Sequence, residues 1–168
     1  DAPLHLISND RVRYPRVVSP VASGADPPGT PQPGASVEVG KAHILPDVEQ
    51  ALAWMDEAGV AAAAAVQHNG HYGYDNSYTL DCAQAHPDRF RAVVVLDAQD
   101  PHTPAQLREL VAQRHISGLR FTGPKAPHPW LDSDSALQTW ATAQDLGLTM
   151  DILYAPQRFS FEAQQAFV

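Results

Sequence analysis

The chain has 168 residues, 44% hydrophobic and 18% charged, which suits one globular domain with a substantial core and leaves little room for two. Its 11 basic and 19 acidic residues give a formal charge of −8, and no basic run offsets it, so nucleic acid and anionic membranes are not expected partners. The single cysteine, Cys82, excludes an internal disulfide framework and a cysteine-rich zinc site, and no apolar run reaches the roughly 20 residues of a membrane span. With no leader visible, the expected compartment is the cytoplasm.

The opening stretch, DAPLHLISNDRVRYP (1–15), reads as an apolar strand with His5 in its interior. Residues 19–40 follow, headed by SPVASGADPPGTPQPGAS; a segment so dense in Pro, Gly and Ser is expected to be a long surface loop, either a binding wall or a plain insertion. PDVEQALAWMDEAG (46–59) places Val48, Leu52 and Met55 on one helical face with Ala51 and Ala58 beside them. Pro46 suits the helix start and Gly59 the left-handed stop. VAAAAAV (60–66) is expected to be a buried strand despite the helical preference of alanine, because it follows that stop and runs into the polar loop QHNGHYGYDN (67–76).

A second helix is expected from Asn76, as its N-cap, to the region of Pro87, and it holds Cys82 as a small buried hydrophobe. RAVVVLDA (91–98) is a β-branched strand ending near Asp97. TPAQLRELVAQR (103–114) opens with a threonine cap and a proline in the first turn, and turns Leu107, Leu110 and Val111 inward. ISGLRFTG (116–123) is a strand; SDSALQTWATAQDLG (133–147) is a helix with Leu137, Trp140 and Ala141 inward, stopping at Gly147. LTMDILY (148–154) is the fifth strand, and SFEAQQAFV (160–168) begins a helix capped by Ser160.

Strands alternating with helices predict a parallel α/β sheet. Two architectures fit: a five-stranded doubly wound sheet, or the first five units of a (β/α)8 barrel, which typically needs about 250 residues. An end inside the apolar AFV favours the barrel, with 1–168 as one partial barrel domain. A flavodoxin-like binding module would require a Ser/Thr/Gly cluster after Ile7, and the sequence has none there.

Polar residues collect at the carboxyl ends of the expected strands: Gln67, His68, Asp97, Arg120, Asp151 and Tyr154. Both architectures bind ligands at that edge. Asp97 either meets a ligand or caps the adjacent turn. Arg120, between Leu119 and Phe121, needs an anion, from a substrate carboxylate or from an aspartate on a neighbouring strand. Tyr154 offers a hydroxyl to the same pocket or simply packs. Of eight histidines, His86 and His115 sit at helix ends, and His43, His102 and His128 in loops, which leaves His5, His68 and His71 as ligand candidates. HExxH, GxSxG, Walker and GxGxxG patterns are all missing.

DAPLHL (1–6), RYP (13–15), DEAGV and VQ within 56–67, YDNSYTLD (74–81), HPDRFRAVVVLD (86–97) and GLRF (118–121) occur in an order that resembles the amidohydrolase-2 family. That group of metal-dependent hydrolases includes the sugar-acid lactonases and the 2-pyrone-4,6-dicarboxylate lactonase. The resemblance implies a distorted (β/α)8 barrel with substrate at the carboxyl ends of the strands. The family's first strand reads D-x-H-x-H; His5 matches its second histidine, and Pro3 stands at the first. A divalent zinc or manganese ion with His5 as ligand is therefore implied, but the usual two-histidine set cannot form, since proline has no imidazole. The catalytic aspartate is expected beyond Val168.

The resemblance further gives Arg120 the grip on a substrate carboxylate or ring oxygen, Tyr154 an aromatic hydroxyl, and the 67–76 loop substrate contacts through His68, Asn69 or His71. It implies hydrolysis of a small lactone of the sugar-acid or pyrone-dicarboxylate type. The alternatives are a metal-dependent decarboxylase of the same superfamily, or a truncated, non-catalytic barrel fragment. The expected partner is a small-molecule substrate, with association of like copies left open.

Overall fold

The computed structural model describes residues 4–17, 45–122 and 133–153. Pro3, the whole 19–40 loop with His43 beyond it, His128, Tyr154 and the helix expected from Ser160 all lie outside the described residues. Within them the order is α1 (Val48–Glu57), β1 (Ala63–Val66), α2 (Asn69–Tyr72), α3 (Ser77–Ala85), β2 (Phe90–Val95), α4 (Thr103–Gln113), β3 (Ile116–Thr122), α5 (Asp134–Asp145) and β4 (Thr149–Leu153). No helix among the described residues is long and apolar enough to cross a membrane.

The four strands are parallel and lie side by side in chain order, β1-β2-β3-β4. The opening segment joins at the free side of β1 through one bridge, Leu4 to Ala65: Leu4 N–H donates to Ala64 O (3.0 Å) and Val66 N–H to Leu4 O (2.8 Å). That order decides between the two architectures. A doubly wound sheet must reverse its winding at a switch point, so its strand order is not sequential. Uninterrupted sequential order with right-handed crossovers puts every helix on one face and curls the sheet. The fold is α/β of the (β/α)8-barrel type, seen over its first units as a curled half-barrel.

Local chemistry explains most boundaries. Asp47 caps α1 by accepting from Gln50 N–H, and Ser133 caps α5 by accepting from Ala136 N–H. Gly59 and Gly147, both at φ +69°, end the turns that follow α1 and α5. β2 and β3 are buried almost continuously, as strands covered on both faces must be, and Phe90, Val94, Leu107, Leu119 and Phe121 fill the core. Gly118 lies inside β3, where a Cβ would meet Thr149 O at 2.8 Å, so the β3–β4 seam closes only without a side chain there.

Sequence expectations change in several places. The buried strand expected over 60–66 is confined to Ala63–Val66, with only Ala65 and Val66 buried and residues 60–62 exposed. The 67–76 loop contains the one-turn helix α2, built by His71 and Tyr72 N–H donating to His68 O and ended by Gly73 at φ +58°. Asn76 stands at the N-cap of α3 without capping it through its side chain. Its amide instead clamps β2, accepting from Val95 N–H (2.8 Å) and donating to Val95 O (2.9 Å). Thr103 is the first residue of α4 rather than its cap, which is His102. In α5 the buried residues are Ala136, Thr139, Thr142 and Ala143, while Leu137 is half exposed. Thr139 and Thr142 can go inward because each hydroxyl donates to the carbonyl one turn back, Ser135 O and Gln138 O.

Candidate functional site

The carboxyl edge of the sheet gathers His5, His68 and His71 into a row. His5 Nδ1 lies 2.8 Å from Val66 O; a carbonyl only accepts, so Nδ1 carries the proton and Nε2 keeps its lone pair. The His5 and His68 rings meet edge to face at 4.9 Å between centroids, and His68 meets His71 likewise at 4.4 Å. His68 Nδ1 and His71 Nδ1 are 3.0 Å apart, so one donates and the other accepts. Such a contact forbids both rings being cationic. Burial is the first cause lowering all three pKa values: His68 falls to about 4, with further depression from His5 and His71. His71 is lowered by burial and then by the Arg16 and Arg11 charges. His5 is lowered by burial and by Arg120, against the opposing Val66 hydrogen bond and the Asp151 charge. Near neutral pH the row is a set of uncharged imidazoles.

Arg120 and Asp151 are register partners across β3 and β4, which in a parallel pair places both side chains on the same face. Nε and Nη2 of Arg120 both donate to Asp151 Oδ2, at 2.7 and 2.6 Å. The arginine side chain is 8% exposed and the aspartate 39%. Of the two partners the sequence allowed for Arg120, the neighbouring-strand aspartate is present. The bonds engage Nε and Nη2, and among the described residues Nη1 has no hydrogen bond.

The remaining candidates fall elsewhere. Asn69 donates from Nδ2 to Gly73 O (2.9 Å), closing the α2 turn. Gln67 is buried, donating from Nε2 to Gly73 O and Asp75 O, and its Oε1 has no partner among the described residues. Asp97 caps its own turn, accepting from Gln99 N–H at Oδ1 and from the Thr103 hydroxyl at its carbonyl. Arg16 escaped the sequence reading because it lies in a coil with no periodicity. The structure brings its charge against His71 and Tyr72. A cation wedged into YPRVV was the available signal.

The described residues do not by themselves fit the metal ion that the resemblance implies. His5 offers one free nitrogen, His68 and His71 use their Nδ1 atoms on each other, and no group of three or more His, Cys, Asp or Glu among the described residues could hold an ion.

A sequential parallel half-barrel with polar side chains at its carboxyl edge defines a barrel of the enzyme-bearing kind. The family model for amidohydrolases (Amidohydro_2) matches residues 1–167, and the chain belongs to that family. Comparison with curated proteins gives no match. Among solved structures, a probable 2-pyrone-4,6-dicarboxylic acid hydrolase from Acinetobacter baumannii, with citric acid bound, is similar at TM-score 0.64 and 19% identity, covering 94% of this chain and 50% of that one. A 5-carboxyvanillate decarboxylase from Novosphingobium aromaticivorans, complexed with manganese and a nitrobenzoic acid, gives TM-score 0.53 at 18% identity, over 63% of this chain and 34% of that one. A 2,6-dihydroxybenzoate decarboxylase from Rhizobium gives 0.56 at 18%, over 73% and 45%. The chain thus spans half or less of each of these relatives.

Proposed function

We propose that this chain carries the ligand-binding part of a hydrolase that opens a small carboxylated lactone. The observation that carries the reading is the row of neutral histidines beside the buried Arg120–Asp151 pair at the carboxyl edge. Lactone opening adds water to the carbonyl carbon, breaks the ring C–O bond and yields a carboxylate and an alcohol. Charge grows on the carbonyl oxygen in the transition state, and preorganised N–H donors stabilise it there. Nη1 of Arg120 can supply such donors or hold the substrate's carboxylate, and Asp151 keeps the guanidinium in place. His68 and His71 are polar without being charged, so they can hydrogen-bond a ring oxygen without repelling Arg120. Tyr154 would add a hydroxyl, and Asn69 would contribute its carbonyl oxygen, since its amide nitrogen is bonded to Gly73. The water-activating aspartate is not assigned to any residue of this chain. A zinc or manganese ion would find one ligand in His5 Nε2, and no step is assigned to it.

The likeness to the Acinetobacter hydrolase, over 94% of the chain, supports this reading. Decarboxylation of an aromatic acid is the second reading, supported by the fold shared with the two decarboxylases. A panel of lactones and aromatic acids offered to the full-length protein separates them by acid release against CO2 release. Hydrolysis of a carboxylated lactone, with Arg120→Ala raising its KM more than that of a neutral lactone, is the expected result. No hydrolysis of any lactone overturns the reading.

A further inference from the structure

The charges around the histidine row do not balance. Arg120 is matched by Asp151, its register partner on β4. Two cations remain at the His71 end: Arg11, which is exposed, and Arg16. Arg16 is half-buried; among the described residues its buried Nε has no hydrogen-bond partner and its guanidinium joins no salt bridge. Its position is fixed from both sides. Tyr14 is buried with its hydroxyl donating to Asp81 Oδ2 at 2.8 Å, and Val17 N–H donates to His71 O at 2.8 Å. The Val17 side chain lies where a Cβ on Gly73 would meet it at 3.3 Å, so this segment packs directly on the α2 turn. In a protein of net charge −8, a partly desolvated cation with no carboxylate partner among the described residues is an unstable arrangement unless an anion completes it.

We propose that Arg16 is a second anion anchor, holding a carboxylate of the ligand at the His71 end of the row, opposite the Arg120 end. The inference rests on the reading of this edge as a small-molecule site and adds to it a specificity-determining residue. A ligand with two carboxylates would engage both ends. One with a single carboxylate would engage either, and gain less.

The test is calorimetric titration of the full-length protein with two probes, isophthalate (two carboxylates) and benzoate (one). The wild type is expected to bind isophthalate more tightly by about tenfold, the worth of one additional charge-assisted hydrogen bond. Arg16→Gln should erase that preference while costing benzoate no more than about twofold, because Arg120 still takes its one carboxylate, and Arg16→Lys should retain part of the preference. Ring resonances of His71 should move with isophthalate in the wild type and not in Arg16→Gln. Equal binding of the two probes by the wild type, no binding of either, or an equal loss for both in Arg16→Gln overturns the proposal. The isophthalate preference without lactone hydrolysis would sink the hydrolase reading and leave this anchor standing. Lactone hydrolysis with a selectivity indifferent to Arg16 would do the reverse.

Discussion

Two groups of arginine and aspartate occupy opposite kinds of ground in this molecule. At the sheet edge, Arg120 and Asp151 meet across adjacent strands with the arginine almost wholly enclosed. On the outer face, Asp81 of α3 takes Arg13 at 3.0 Å, Arg114 at 3.4 Å and the Tyr14 hydroxyl at 2.8 Å. There the arginines are 68% and 34% exposed, beside a groove of about 490 Å³ lined by Tyr14, Glu49, Tyr78 and Cys82. The functional groups match, but water competes only at the second. An exposed ion pair contributes little because solvent screens it, whereas a buried one is costly to break because one charge is then stranded. The difference separates a site that must hold its geometry from a fastening of the surface.

The largest effect is expected from Asp151→Ala, which strands the Arg120 guanidinium. Urea unfolding should show a loss of about 3 kcal/mol, at the low end for a buried pair because Asp151 is partly exposed. A loss below half that would place this pair in the same class as the surface group. Gly118→Ala probes the same seam without touching charge. The added methyl must displace Thr149 O, and about 2 kcal/mol of destabilisation is expected by the same measurement. A neutral result would mean that the β3–β4 seam yields easily.

Acid should act on the site side through His68. Its folded pKa of about 4 lies below the ordinary 6.5, so between those values the unfolded chain binds a proton that the folded one refuses. Stability from this residue is therefore complete above pH 6.5 and lost as pH falls toward 4. Unfolding midpoints measured at pH 7 and pH 5 should differ, and His68→Gln should reduce the difference; an unchanged slope would remove His68 as its source. The smallest effect belongs to the outer group. Asp81→Asn keeps an acceptor for Tyr14 and should cost no more than about 1 kcal/mol, diminishing in salt. A loss as large as that of Asp151→Ala would erase the contrast.

The sequence made the alternation of helix and strand legible because each element carries its own local signals. Gly59 and Gly147 mark the two stops, and the valine run of 93–95 could only be a covered strand. Burial of Leu107 and Met55 followed from helical spacing. The spacing failed in α5, where threonines satisfied by their own helix replaced Leu137 on the inner face. It also missed α2, since one turn of helix leaves no periodic trace. Of the candidate site, Arg120 announced itself as a charge inside an apolar strand, and His5, His68 and His71 as imidazoles near strand ends. A neighbouring-strand aspartate was one of two partners open to Arg120, and only the register chose Asp151; Arg16 had no such mark, because its meaning depends on what lies across a loop.

Composition and pattern alone thus determined an acidic α/β chain with polar groups at the carboxyl ends of parallel strands, because periodicity, capping and glycine stops are properties of neighbouring residues. Only the tertiary structure decided the rest. It set the strands in sequential order, which makes a barrel rather than a doubly wound sheet. It gave Arg120 its aspartate, and it set three histidines that are 63 and 3 residues apart edge to face in one row. Those outcomes depend on which strands pair and in what register, and register is fixed by contacts between segments that local sequence does not encode.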